Sequence, residues 1–185
     1  MISSLRPTTR VGALLARPQF QTFNTGGRRI PNLRFSMSTV KPIPIIVTGG
    51  TEKIGSVVVA SMKPEYEVIH FTLAAEATKE IPLLLKGEVP SPSSSSLGSG
   101  NWSVFPKAIL FGGAYKDEMI EDVRGAVAKT AETKRIPWLR VDSNLPHPPL
   151  GPEYGAAIVE RAKAILGKLE AEGKLDVEDD SIHLF

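Results

Sequence analysis

The sequence predicts an α/β fold: a small, doubly wound, mostly parallel sheet of four strands in the order 2-1-3-4. Three observations predict it. Four short apolar runs alternate with stretches whose apolar positions recur at helical spacing. The first run, Ile43 to Thr48, is almost wholly apolar and rich in β-branched residues, the pattern of a strand buried on both faces. Glycine turns follow the first and third runs, at Gly49-Gly50 and Gly112-Gly113, and a sheet of this order has its ligand crevice outside those strand ends.

In the first strand, Pro42 and Pro44 confine ordered pairing to the later residues. Ile54, Val57, Val58 and Met62 then fall at helical spacing, and Pro64 prevents much continuation. Tyr66 to Phe71 reads as the second strand, closing a β-α-β unit with a right-handed crossover. Ala74 to Leu85 is the second helix, weakened by Pro82. The stretch Glu88 to Gly100, E-V-P-S-P-S-S-S-S-L-G-S-G, has almost nothing to bury and reads as a mobile inserted loop, with a phosphorylated or ligand-covering segment as the alternative.

Ala108 to Phe111 is the third strand. Asp117 is expected to cap the next helix, whose apolar face is Met119, Ile120, Val123, Val127 and Ala131. Trp138 to Val141 is the fourth strand. Pro152 suits the first turn of a long last helix with Tyr154, Ile158, Ile165, Leu166 and Leu169 as its buried stripe and Gly173 as its stop. Residues 43–173 thus make the domain. Residues 174–185 read as an acidic, loosely held tail from which Leu184 and Phe185 can dock.

Charge is unevenly divided. Residues 1–51 hold seven basic residues and no acidic one, leaving 15 basic against 20 acidic residues in 52–185, a net of −5. The domain therefore lacks the basic balance that a nucleic-acid partner calls for. Residues 1–36, Arg-rich and acid-free, fit a mitochondrial transit peptide: Arg6, Arg10 and Arg17 share one helical stripe opposite Leu5, Val11, Leu14 and Leu15. Arg34-Phe35-Ser36 resembles a processing site, Met37 is an alternative start giving a cytosolic form, and a simple disordered leader is the other reading. Val11 to Ala16 is too short for a membrane span. Without cysteine there is no disulfide, thiolate nucleophile or thiolate zinc site, and His70, His147 and His183 show no metal-ligand spacing.

The turn Thr48 to Gly55, T-G-G-T-E-K-I-G, resembles the T-G-x-x-x-G-x-G turn of the short-chain dehydrogenase/reductase superfamily, NAD(P)-binding proteins of Rossmann-like fold. Thr48, Gly49 and Gly55 match it, and Lys53 stands where the middle glycine falls. The resemblance implies a dinucleotide held by Thr48, Gly49, Gly50, Thr51, Lys53, Ile54 and Gly55, with Gly112 and Gly113 across the crevice. In that family the glycines let backbone approach a pyrophosphate at a helix N-terminus. A Walker A loop matches less well, since Ser56 stands where its lysine is required.

The family's reductases use a Tyr-x-x-x-Lys pair. Here Tyr66, Tyr115 and Tyr154 are followed four places on by His70, Met119 and Ile158, so no catalytic residue carries over. His70-Phe71-Thr72 ends the second strand without the Asp or Glu of an NAD site or the Arg of an NADP site. No G-x-S-x-G elbow is present. The leading expectation is a nucleotide-binding protein, NAD(P) by class, acting as a sensor or accessory subunit. The alternatives are an atypical oxidoreductase whose acid is Tyr115, Tyr154 or His147, and a ligand-free interaction module using the last helix.

Overall fold

The computed structural model describes residues 41–149 and 151–185. The leader, with its transit-peptide reading and the Met37 start, lies outside the described residues. The rest forms an α/β sheet with helices on both faces: β1 (Ile43–Gly49), α1 (Glu52–Ser61), β2 (Tyr66–Leu73), α2 (Ala77–Lys86), β3 (Ile109–Phe111), α3 (Asp117–Lys129), β4 (Trp138–Arg140), α4 (Pro152–Ala171) and β5 (Ile182–Leu184). All pairings are parallel and the order is β2-β1-β3-β4-β5.

The strand order matches the expected one and the strand count does not. The acidic tail supplies a fifth strand, with Ile182, His183 and Leu184 registered against Trp138, Leu139 and Arg140. Backbone bonds extend the pairing, from the Asp142 N–H to the Phe185 carbonyl at 2.7 Å and from the Phe185 N–H to the Arg140 carbonyl at 3.0 Å. Phe185 is buried in the core while Leu184 is exposed. A run of four acidic residues within five hid a three-residue strand whose backbone, rather than its side chains, makes the attachment.

Two apolar cores flank the sheet. α1 and α4 pack together on one face, around Ile45, Val47, Phe71, Leu110 and Leu166; α2 and α3 pack on the other, around Ile46, Ile81, Phe111 and Trp138. Strand pleating sends alternate residues of β1 to opposite faces. In β2 the alternation breaks: Ile45 pairs with Val68 but Ile46 with His70, so Ile69 is skipped. Such a bulge re-aims the side chains that follow, and this one turns Phe71 toward α1 and α4.

Smaller differences also have local causes. α3 opens with Asp117 as its first residue after Lys116, whose side chain makes no capping bond, so Asp117 supplies first-turn charge rather than a cap. α3 ends at Lys129, before Ala131, which is exposed. α4 ends close to its expected stop, with Gly173 in the left-handed conformation.

The Ser-rich segment has no regular secondary structure, but it lies along the outer edge of β2. The Phe71 N–H donates to the Leu97 carbonyl at 3.0 Å, and the N–H groups of Ser99 and Gly100 donate to the carbonyls of Val68 at 2.8 Å and Ile69 at 3.0 Å. Within it Pro90 and Ser95 are buried. The segment thereby covers a strand edge that would otherwise offer unpaired peptide groups.

Candidate functional site

Where the strand order reverses, between β1 and β3, the chain leaves a cleft of about 230 Å³. The Gly49-Gly50 turn forms one side and Gly112-Gly113 the other, while Ile54, Gly55 and Val58 of α1 and Tyr154, Gly155 and Ile158 of α4 enclose it. Val47, Phe71 and Leu110 of the sheet line it as well. Of the residues expected at the site, Thr48, Gly49, Gly50, Thr51, Ile54, Gly55, Gly112 and Gly113 border this one cleft. Lys53 does not line it and is solvent-exposed.

The glycine of α1 has a packing reason. A Cβ on Gly55 would lie 2.5 Å from the tip of the Phe71 ring, and Phe71 is itself buried in the core with little room to yield. Gly55 therefore sets the close approach of α1 to the sheet, the role of the last glycine in dinucleotide-binding turns. Thr51 caps α1 through a long bond of 3.5 Å from the Ile54 N–H. The N–H groups of Glu52 and Lys53 lie in the first turn, where a helix has no intrahelical acceptor.

Thr48 borders the cleft, but its side chain serves the opposite face. Its hydroxyl donates to the Thr72 carbonyl at 2.9 Å and accepts from the Tyr115 hydroxyl. Tyr115 packs edge-on against Phe111 in the α2/α3 core. Burial pushes its phenol up to about 12, with the Thr48 bond pulling down and the Glu80 charge adding to the rise. Nothing about this tyrosine is aimed at the cleft.

Tyr154 is the tyrosine that is. Its hydroxyl rests on Gly113 so closely that a Cβ there would fall 1.8 Å from the oxygen. Burial raises its pKa, while the Gly113 amide and the Arg161 charge pull it down. His147 packs edge-on to the Tyr154 ring at 5.3 Å, but it is exposed and does not line the cleft. The three candidate acids are thus separated: one sealed, one at the cleft, one on the surface. Among the described residues, none that lines the cleft carries a charged side chain.

A second polar cluster was absent from the sequence reading. His70 Nε2 meets Glu80 Oε2 at 3.0 Å, both residues being buried, and the other Glu80 oxygen accepts the Ser94 N–H. The Ser94 hydroxyl accepts the Leu73 N–H at 3.0 Å, and the Ser95 hydroxyl donates to Glu52 at 2.6 Å. These bonds tie the Ser-rich segment to β2, α2 and the start of α1. One signal was available: Glu80 sits three places after Ala77 and four before Leu84, on the apolar stripe of α2, where a carboxylate needs buried partners.

Among the described residues no group of three or more His, Cys, Asp and Glu side chains is placed to hold a metal, and no helix is long and apolar enough to cross a membrane. No family model and no solved structure matches the chain. It is 38% identical over 156 residues to Kojic acid related protein 6 of Aspergillus oryzae, an alignment covering 81% of this chain and 92% of that protein. The chain belongs to the family of that protein.

Proposed function

We propose that this is a Rossmann-like binding protein for a nucleotide of the NAD(P) class, a sensor or accessory subunit without the tyrosine-lysine chemistry of the short-chain reductases. The observation that carries the reading is the meeting of both glycine turns at one cleft, at the point where the strand order reverses. The first turn supplies phosphate donors. The Gly112 N–H is taken by the Thr48 carbonyl at 2.9 Å, whereas the Glu52 and Lys53 amides lead α1 with the exposed Lys53 side chain beside them.

An oxidoreductase acting in the same cleft is the second reading, and Tyr154 is the acid the geometry favours because it lines the cleft. Its raised pKa suits a hydrogen-bond donor rather than a base.

A ligand that binds only the folded state raises its melting temperature. The full chain is tested with NAD+, NADH, NADP+, NADPH, FAD, ATP and coenzyme A at millimolar concentration, and with kojic acid because the relative's name contains it. The expected result is a rise with at least one dinucleotide that Gly49→Val abolishes. A rise with kojic acid alone, or equal dinucleotide binding by Gly49→Val and wild type, overturns the nucleotide reading. NADPH oxidation over a panel of carbonyl compounds separates the enzyme from the binder.

A further inference from the structure

We propose that the cleft receives an uncharged ring, a fused bicycle of about the size of indole, and that the charged part of its ligand stays outside the mouth. The inference rests on the reading of this cleft as the ligand site and adds what enters it.

Size comes first. An apolar cavity of about 150 Å³ holds a benzene molecule, so about 230 Å³ has room for a second fused ring. A dinucleotide is several times larger and leaves most of itself outside.

Chemistry narrows the choice. Val47, Val58, Phe71, Leu110 and Ile158 line the cleft, all of them members of the α1/α4 core, and no charged side chain stands among the described lining residues. Two polar groups at the β3 turn are already engaged: the Gly112 N–H donates to the Thr48 carbonyl and the Tyr154 hydroxyl rests on Gly113. An anion drawn inward would lose its water and meet no counter-charge, while a flat uncharged ring gains by leaving water. At the mouth, Gly50 and the exposed Ala114 face each other: a Cβ on Gly50 would lie 3.1 Å from that of Ala114.

Calorimetry on the full chain uses three probes: indole, a ring without charge; inorganic pyrophosphate, a charge without a ring; and the dinucleotides. Val58→Phe fills the cleft from α1, and Ala114→Leu narrows the mouth from an exposed position. Saturable indole binding, weakened at least tenfold by both variants together with dinucleotide binding, supports the proposal. Should Val58→Phe fail to fold, Ala114→Leu decides. Indole binding of this kind with no dinucleotide binding supports the ring site and overturns the nucleotide reading. Dinucleotide binding untouched by Ala114→Leu, with no indole binding, overturns the ring site and leaves the nucleotide reading standing. Pyrophosphate binding as tightly as a dinucleotide also overturns the ring site, and binding of no probe overturns both.

Discussion

The two faces of the sheet each hold a tyrosine near the carboxyl ends of β1 and β3, and they use it in opposite ways. On the α2/α3 face, Tyr115 donates to Thr48, Thr48 donates to the Thr72 carbonyl, and His70, Glu80 and Ser94 join hands alongside, leaving the Thr72 hydroxyl, among the described residues, as the buried side-chain oxygen without a partner. On the α1/α4 face, Tyr154 stands over glycines and apolar walls that leave space unfilled. Polar groups that satisfy one another close the α2/α3 face at this end of the sheet, because each buried donor must have an acceptor near it. Glycines and branched apolar side chains make no such demand, and on that face a cleft survives. The sealed face holds the Ser-rich segment in place, and the open one keeps its cleft.

The largest effect is expected from breaking the sealed face at its centre. Glu80→Ala leaves His70 and the Ser94 N–H without their acceptor. A buried polar group left unpaired costs about 1–3 kcal/mol, so chemical denaturation should register a loss of about 3 kcal/mol for the two together. Glu80→Gln keeps an acceptor oxygen and should lose less. Limited proteolysis should also cut the Ser-rich segment faster in Glu80→Ala, and an unchanged cleavage rate would show that the network does not hold that segment.

On the open face the corresponding break is steric. Gly113→Ala places a methyl against the Tyr154 hydroxyl, and overpacking of this kind costs about 1–3 kcal/mol. Tyr154→Phe in the same chain removes the atom at 1.8 Å and should recover part of the loss, although the ring carbon behind it, at 3.0 Å, still restricts the site. A double variant no more stable than Gly113→Ala would mean that the strain lies in the backbone of the turn.

The contrast between the faces was only partly legible in the sequence. The parallel sheet and its order follow from apolar runs alternating with helical periods, and eight of the nine expected site residues border one cleft because a turn motif fixes backbone position. Lys53 fails the same test because a helix residue one place from another points some 100° away, and Ile54 and Gly55 are the ones facing the sheet. The bulge that aims Phe71 into the cleft left no mark, since Y-E-V-I-H-F reads as an ordinary strand and a skipped residue is a property of pairing. The seal was hidden for a related reason. Its serines are individually unremarkable, and they become structural through partners on β2, α2 and α1 that are distant in sequence. The fifth strand escaped because charge pattern was read where backbone pairing decides.

The smallest effect compares the tyrosines directly. At neutral pH, Tyr115→Phe removes one hydrogen bond, worth about 1 kcal/mol, and leaves Thr48 its bond to the Thr72 carbonyl. Above pH 10 the two proteins diverge in slope. The Tyr115 pKa of about 12 in the folded chain lies above the ordinary 10.0 that applies when the chain unfolds. Below pH 10 both states keep the proton and the contribution is whole. Between pH 10 and 12 the unfolded chain releases it while the folded chain holds it, so stability falls as pH rises. Tyr115→Phe lacks this group, and its stability should fall less steeply over that window. Tyr66 and Tyr154, both also raised by burial, keep the slope from vanishing. Tyr154→Phe should flatten the curve less than Tyr115→Phe, because the Gly113 amide and Arg161 hold its rise back. Denaturation midpoints for the three proteins from pH 9 to 12 decide the order, and equal slopes in wild type and Tyr115→Phe would remove the physical distinction between a sealed tyrosine and one at a cleft.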